Sequence, residues 1–273
     1  MRRLLTLAPV LAALASAAFV VAPAQAHRQW MLPSATVLSG ENVWVTVDAA
    51  VSNDLFYFEH VPMRLEGIVA TAPDGTPAKI ENGATGKYRS VFDVQLTQKG
   101  TYKIASVNDG VFAGYKLNGE QKRWRGKAEE FASAIPAGAT DVNVSQVAGR
   151  NEIYVTNGAP TETVRKATGR GLELVSGTHP NDLVSGEEAT FGFALDGKPA
   201  ANIEVTVVPG GIRYRDQLNE MKLKTDAEGN LKVTWPEAGM YWLEAEFSDD
   251  KTSVPQAKQR RVSYVTTLEV LAP

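Results

Sequence analysis

Apolar and polar side chains alternate along most of the chain beyond residue 40. In Val43-Trp44-Val45-Thr46-Val47 and in Val91-Phe92-Asp93-Val94-Gln95-Leu96 every second residue shares a side, the period of a half-buried strand. The same reading covers Ala189–Leu195, Ile203–Val208, Leu231–Trp235 and a last strand from Val262 to Val270. Turn-forming pairs fall between such runs: Asp74-Gly75, Asn82-Gly83, Asp109-Gly110, Asp196-Gly197 and Glu228-Gly229. Only Gln121–Phe131 has the composition of a helix, and a short one. The pattern predicts an all-β protein built as a β-sandwich.

A repeat divides the chain. Leu38-Ser39-Gly40-Glu41 and Val184-Ser185-Gly186-Glu187 each precede a strand. Gly100-Thr101-Tyr102 and Gly239-Met240-Tyr241 follow at comparable distances, each leading into a late strand. A tyrosine at such a corner can bury its ring and bond backbone through its hydroxyl. The repeat predicts two tandem sandwiches, immunoglobulin-like or prealbumin-like, over residues 27–160 and 172–273, with a polar linker over 161–171. Trp30, Trp44, Trp235 and Trp242 are expected to fill their cores.

The first 26 residues read differently. Arg2 and Arg3 precede an apolar run from Leu4 to Val21, and Ala22-Pro23-Ala24-Gln25-Ala26 closes it with small residues. A basic start, an apolar middle and a small-x-small end make a cleavable secretory signal. Pro9 interrupts a run already short for a bilayer span. The expected mature protein of 247 residues (273 less 26) is therefore periplasmic. Cleavage removes two of the 28 basic residues and none of the 31 acidic ones, so the net charge becomes 26 less 31, or −5. Such a balance argues against nucleic acid as a partner. With no cysteine, disulfides, thiolate ligands and thiol nucleophiles are out of the question.

Histidine is then the scarcest useful residue, present as His27, His60 and His179. Cleavage after Ala26 makes His27 the first residue, whose α-amine and ring Nδ1 can close one chelate ring on a metal ion, whereas cleavage after Ala24 would leave Gln25 first and no such chelate. A further imidazole would complete a set suited to Cu(II), or with oxygen donors to Ni(II) or Zn(II). An α-amine titrates near ~8 and imidazole near ~6.5, so both are open to a metal around neutral pH. The start resembles that of periplasmic copper-binding sandwiches of the copper-resistance type. His60 follows Phe56-Tyr57-Phe58-Glu59, where strand alternation would put it on the side of Phe56 and Phe58, as a part-buried residue or as a ligand. Glu59 and Met63 are auxiliary donors in that reading. His179 precedes Pro180 in a turn, a setting that usually leaves histidine solvated.

Other chemistry is not supported. Gly-x-Ser-x-Gly is missing, and Pro209-Gly210-Gly211 has no Gly-Lys-Ser/Thr after it. Neighbouring acids such as Glu129-Glu130 point apart. Lys122-Arg123-Trp124-Arg125-Gly126-Lys127 reads as a solvated basic loop. No enzyme is expected.

Several pieces in order resemble a bacterial periplasmic family, domain of unknown function 4198. They are His27-Arg28-Gln29-Trp30-Met31-Leu32-Pro33; Gly171-Leu172-Glu173-Leu174-Val175 with His179-Pro180; Gly186-Glu187 and Gly197-Lys198-Pro199; and Thr225-Asp226-Ala227-Glu228-Gly229-Asn230 leading to Ala238-Gly239-Met240-Tyr241. The resemblance implies a periplasmic protein near nickel uptake. The expectation is a transition-metal-binding or uptake accessory protein using His27, His60 and His179, with copper or nickel as the ion and a membrane transporter or outer-membrane receptor as partner. The rival is a non-catalytic adhesion or assembly module, with Phe112, Tyr115 and Trp124 as contact residues, or a carbohydrate-binding sandwich.

Overall fold

The computed structural model describes residues 27–273, so the expected signal segment lies outside the described residues. The first half holds β1 (Arg28–Pro33), β2 (Val37–Leu38), β3 (Val43–Ser52), β4 (Val61–Pro62), β5 (Ile68–Thr71), β6 (Pro77–Ala78), β7 (Ile80–Thr85), β8 (Ser90–Leu96), β9 (Gly100–Leu117), β10 (Glu120–Gly126) and β11 (Thr140–Asn157). The second holds β12 (Leu172–Gly177), β13 (Glu188–Leu195), β14 (Lys198–Pro199), β15 (Glu204–Pro209), β16 (Met221–Lys224), β17 (Asn230–Thr234), β18 (Gly239–Asp249) and β19 (Gln259–Val270). All six strands read from the alternation are present.

The expected helix is not. Residues 120–126 form β10 against β9, and only one α-helical turn, Phe131–Ala134, follows. Two of the five turn pairs also serve otherwise. Asn82-Gly83 is a bulge, where the partners of Glu81 and Ala84 are Asp93 and Val91. Gly110 lies inside β9, where a side chain would meet the Gly126 carbonyl at 2.8 Å.

The strands form three sheets. One runs β1-β3-β8-β7 with β4 on β3, and another β12-β13-β14 with β17 on β13. Between them a 10-stranded sheet runs β16-β15-β18-β19-β11-β9-β5-β6, with β10 on β9 and β2 on β11. The seam is β11 beside β19, parallel, with Ala148 opposite Val262 and Glu152 opposite Thr266.

Side-chain parity shows how two sandwiches share this sheet. Odd residues of β11, Ile153 and Val155, join Val45, Val47, Phe92 and Val94 in the first core. Even residues of the neighbouring β19, Val262, Tyr264 and Leu268, join Phe191, Phe193 and Leu243 in the second. Residues in register on adjacent strands share a side. The two smaller sheets therefore cover opposite faces of the large one. A third cluster closes the joint: Trp30 and Leu55 from the first half meet Val208, Trp242 and Val265 from the second.

The repeat is structural as well. The Tyr102 hydroxyl accepts from the Gln98 amide at 2.7 Å, and the Tyr241 hydroxyl donates to the Glu237 carbonyl at 2.8 Å. Both reach four residues back, with their rings buried. The stretch 161–171, expected as a linker, is packed in place: Thr161 and Thr101 exchange two bonds of 2.9 Å, and Arg165 is 3% exposed. Trp30, Trp235 and Trp242 are buried, whereas Trp44 is 41% exposed, on the outward side of β3.

Candidate metal-binding site at the start of the first strand

β1 and β4 flank the last residues of β3, Trp30 and Pro62 both lying opposite Ala50. His27 immediately precedes β1 and His60 immediately precedes β4, so the two side chains converge at the end of β3. Their rings are parallel to within 5° with centroids 3.7 Å apart, and both residues are exposed.

The loop that delivers His60 is irregular backbone rather than the strand expected there. Phe56 has φ of 62°, which breaks the alternation that would have placed His60 beside Phe56 and Phe58. Those two rings instead pack on Trp30, at 5.5 and 5.4 Å, and His60 is left outside. The Trp30 indole donates to Ser52 Oγ at 2.8 Å, and Ser52 Oγ donates to the Asp54 carbonyl at 2.7 Å. Glu59 Oε1 accepts the amides of Asn53 and Asp54 at 2.7 and 3.0 Å. Those bonds commit that carboxylate to holding the loop. Met63 is 5% exposed within the first core. Glu59 forms no three-donor group with the histidine pair among the described residues, and Met63 is turned into the core.

His179 is elsewhere. Thr36, beyond the other end of β1, accepts the Thr156 amide at 2.8 Å. Thr156 Oγ1 lies 2.9 Å from Thr101 Oγ1, which lies 3.1 Å from His179 Nε2. The six residues of β1, roughly 20 Å of strand at ~3.3 Å each, thus separate it from His27. Its turn is buried rather than solvated, at 7% exposure. Nδ1 accepts the Asn181 amide at 3.0 Å, so Nε2 carries the proton and donates to Thr101. Burial pushes its pKa down, and the Arg165 guanidinium pushes the same way. A neutral imidazole with both nitrogens engaged offers nothing to a metal, and its removal from the candidate set is a correction.

Cations and aromatic rings surround the pair, a feature sequence reading missed. Arg28 donates to the Asn53 carbonyl at 3.1 Å and sits 5.6 Å from the Trp242 ring, whose indole donates to the Gln29 carbonyl at 3.1 Å. Arg89 lies 4.6 Å over Phe58, and Arg213 lies 3.9 Å over Tyr57. These contacts join residues far apart in sequence, so no local signal marks them. Glu244 was missed too: burial, aided by neighbouring Glu246 and opposed by Arg28, raises its pKa to about 8.

Among the described residues no three His, Cys, Asp or Glu side chains are grouped to hold a metal ion. The pair therefore fits a metal only with a donor that is not a side chain, and the α-amine freed by cleavage before His27 is one. Stacked imidazoles hold their in-plane lone pairs in two parallel planes, which one ion cannot share. One ion can bind both only after a ring turns about its side-chain torsions, which exposure permits.

The fold defines an all-β protein of paired sandwiches. By sequence the chain belongs to the family described as Domain of unknown function (DUF4198), matched over residues 24–249. No curated protein matches it. Among solved structures it is similar to the D0-D1 domain of Intimin, with 11% identity over 88% of this chain and 97% of that one, at a TM-score of 0.22. The human OSCAR ligand-binding domain shows 13% identity over 90% and 100%, at 0.19. Trypsin-activated alpha-2-macroglobulin from Escherichia coli shows 12% over 90% and 24%, at 0.21. Superpositions this loose carry no argument.

Proposed function

We propose that the protein is exported to the periplasm, cleaved after Ala26, and binds a transition metal as cargo at its new N-terminus. The supporting observation is the meeting of His27 and His60, 33 positions apart in sequence, with rings 3.7 Å apart and exposed. His27 would give its α-amine and Nδ1, and His60 one ring nitrogen. Three nitrogens and open positions suit Cu(II) first and Ni(II) with added oxygen donors. A site of this kind forms only after processing, which confines loading to the exported protein. It acts as a binding protein that passes the ion to a membrane transporter or outer-membrane receptor, without catalysis.

Competition titrations of Cu(II) and Ni(II) with the processed protein test this. His27→Ala and His60→Ala should each weaken binding at least tenfold, about 1.4 kcal/mol, while His179→Ala leaves it unchanged. One added residue before His27 should act like His27→Ala. Equal affinity in all five proteins would end the reading.

A further inference from the structure

The large sheet offers a second site, far from any histidine. Beyond β1, the face that carries the first core is open across the seam, while on the opposite face Val111, Ala113 and Val144 of β9 and β11 pack with Val254 and Ala257. The open face forms a depression of about 550 Å³ crossing six strands. Phe112, opposite Arg125, and Val147, opposite Arg261, line it together with Ser145 and Ser263.

The charges in it are sorted by sign. Arg125 on β10 and Arg261 on β19 stand on one side, and Glu246 on β18 with Glu204 on β15 on the other. Among the described residues none of the four is in an ion pair, although many other charges are paired, including Arg260 with Asp249 at 2.7 Å. Lys224, opposite Glu204 on β16, makes no ion pair with it. Glu204 and Glu246 are direct cross-strand partners, an arrangement that costs stability through like-charge repulsion. Retaining it beside two unpaired arginines makes the depression complementary to a ligand carrying both signs.

We infer that this depression binds a short zwitterionic peptide, its ammonium at Glu204 and Glu246 and its carboxylate at Arg261 and Arg125. Size sets the class. Strands lie about 4.8 Å apart and Arg261 sits two residues along β19 from Ser263, the residue level with Glu246 and Glu204, so Glu204 and Arg261 are separated by roughly 12 Å, and Arg125 extends the reach. An extended tripeptide spans about that length at ~3.4 Å per residue. A free amino acid is too short to reach from Glu204 to Arg261. Phe112 and Val147 give its side chains an apolar bed, and the guanidinium fork suits a carboxylate.

Calorimetry on the processed full chain, with chelator present to exclude any metal effect, reads this out. Trialanine should bind at one site. N-acetylation or C-terminal amidation should each weaken it at least tenfold. Glu246→Gln should weaken trialanine yet leave the acetylated peptide's residual binding unchanged, and Arg261→Gln should do the converse with the amide. All four side chains are exposed, so these variants should fold, which circular dichroism checks. Equal binding of capped and free peptides, or no binding at millimolar trialanine, would overturn the inference.

Discussion

Glu244 ties the joint between the sandwiches to pH. It lies on β18 two residues from Trp242, and burial with Glu246 beside it lifts its pKa from 4.5 to about 8. In the unfolded chain the same group ionises near ~4.3. Folding therefore takes up a proton at any pH between those values, and stability falls as pH rises from about 4.5 to about 8. At pH 7 the unfolded state has long lost that proton while the folded state mostly keeps it. With one pKa unit worth about 1.4 kcal/mol, the cost at pH 7 is on the order of 3 kcal/mol. Glu244→Gln, which mimics the protonated form, should cost little at pH 4.5 and be the more stable protein at pH 7 by about that amount. Urea unfolding followed by tryptophan fluorescence, at half-unit steps from pH 4.5 to 8.5, measures it. Parallel stability profiles for the two proteins would refute the burial of a protonated carboxyl at this place.

Other consequences bear on the fold. Tyr102→Phe and Tyr241→Phe each remove a hydroxyl bonded four residues back, and each should cost about 1 kcal/mol in urea unfolding. Trp30→Ala empties a fully buried site between the halves and should cost about 3–5 kcal/mol, or separate the unfolding of the two halves. His179→Asn breaks the chain from Asn181 to Thr101 and should destabilise by about 1–3 kcal/mol without touching metal affinity.

How much of this was legible in the sequence follows from the range of the interactions. Val43–Val47 and Ile203–Val208 announce their strands because alternation is a local consequence of facing a core. The tyrosine corners were legible for the same reason, since each bond closes within four residues. The shared sheet was not. β11 and β19 pair over more than 100 residues of separation, and nothing in either strand shows that its even side, rather than its odd side, meets the second core. Trp44 misled because alternation tells which residues share a side and not which side is buried. At the candidate site, His27 and His60 could be named but not joined. The contact depends on Phe56 adopting a positive φ and on β1 and β4 taking opposite edges of β3. His179 became a structural residue through Thr101, 78 positions away, a partner no local reading supplies.

The central claim is that one ion takes three nitrogens from His27 and His60. Electron paramagnetic resonance of the processed protein with one equivalent of Cu(II) counts them directly through nitrogen superhyperfine splitting. Three coordinated nitrogens are expected, falling to two in His60→Ala and staying at three in His179→Ala. A spectrum unchanged by His60→Ala would contradict the account.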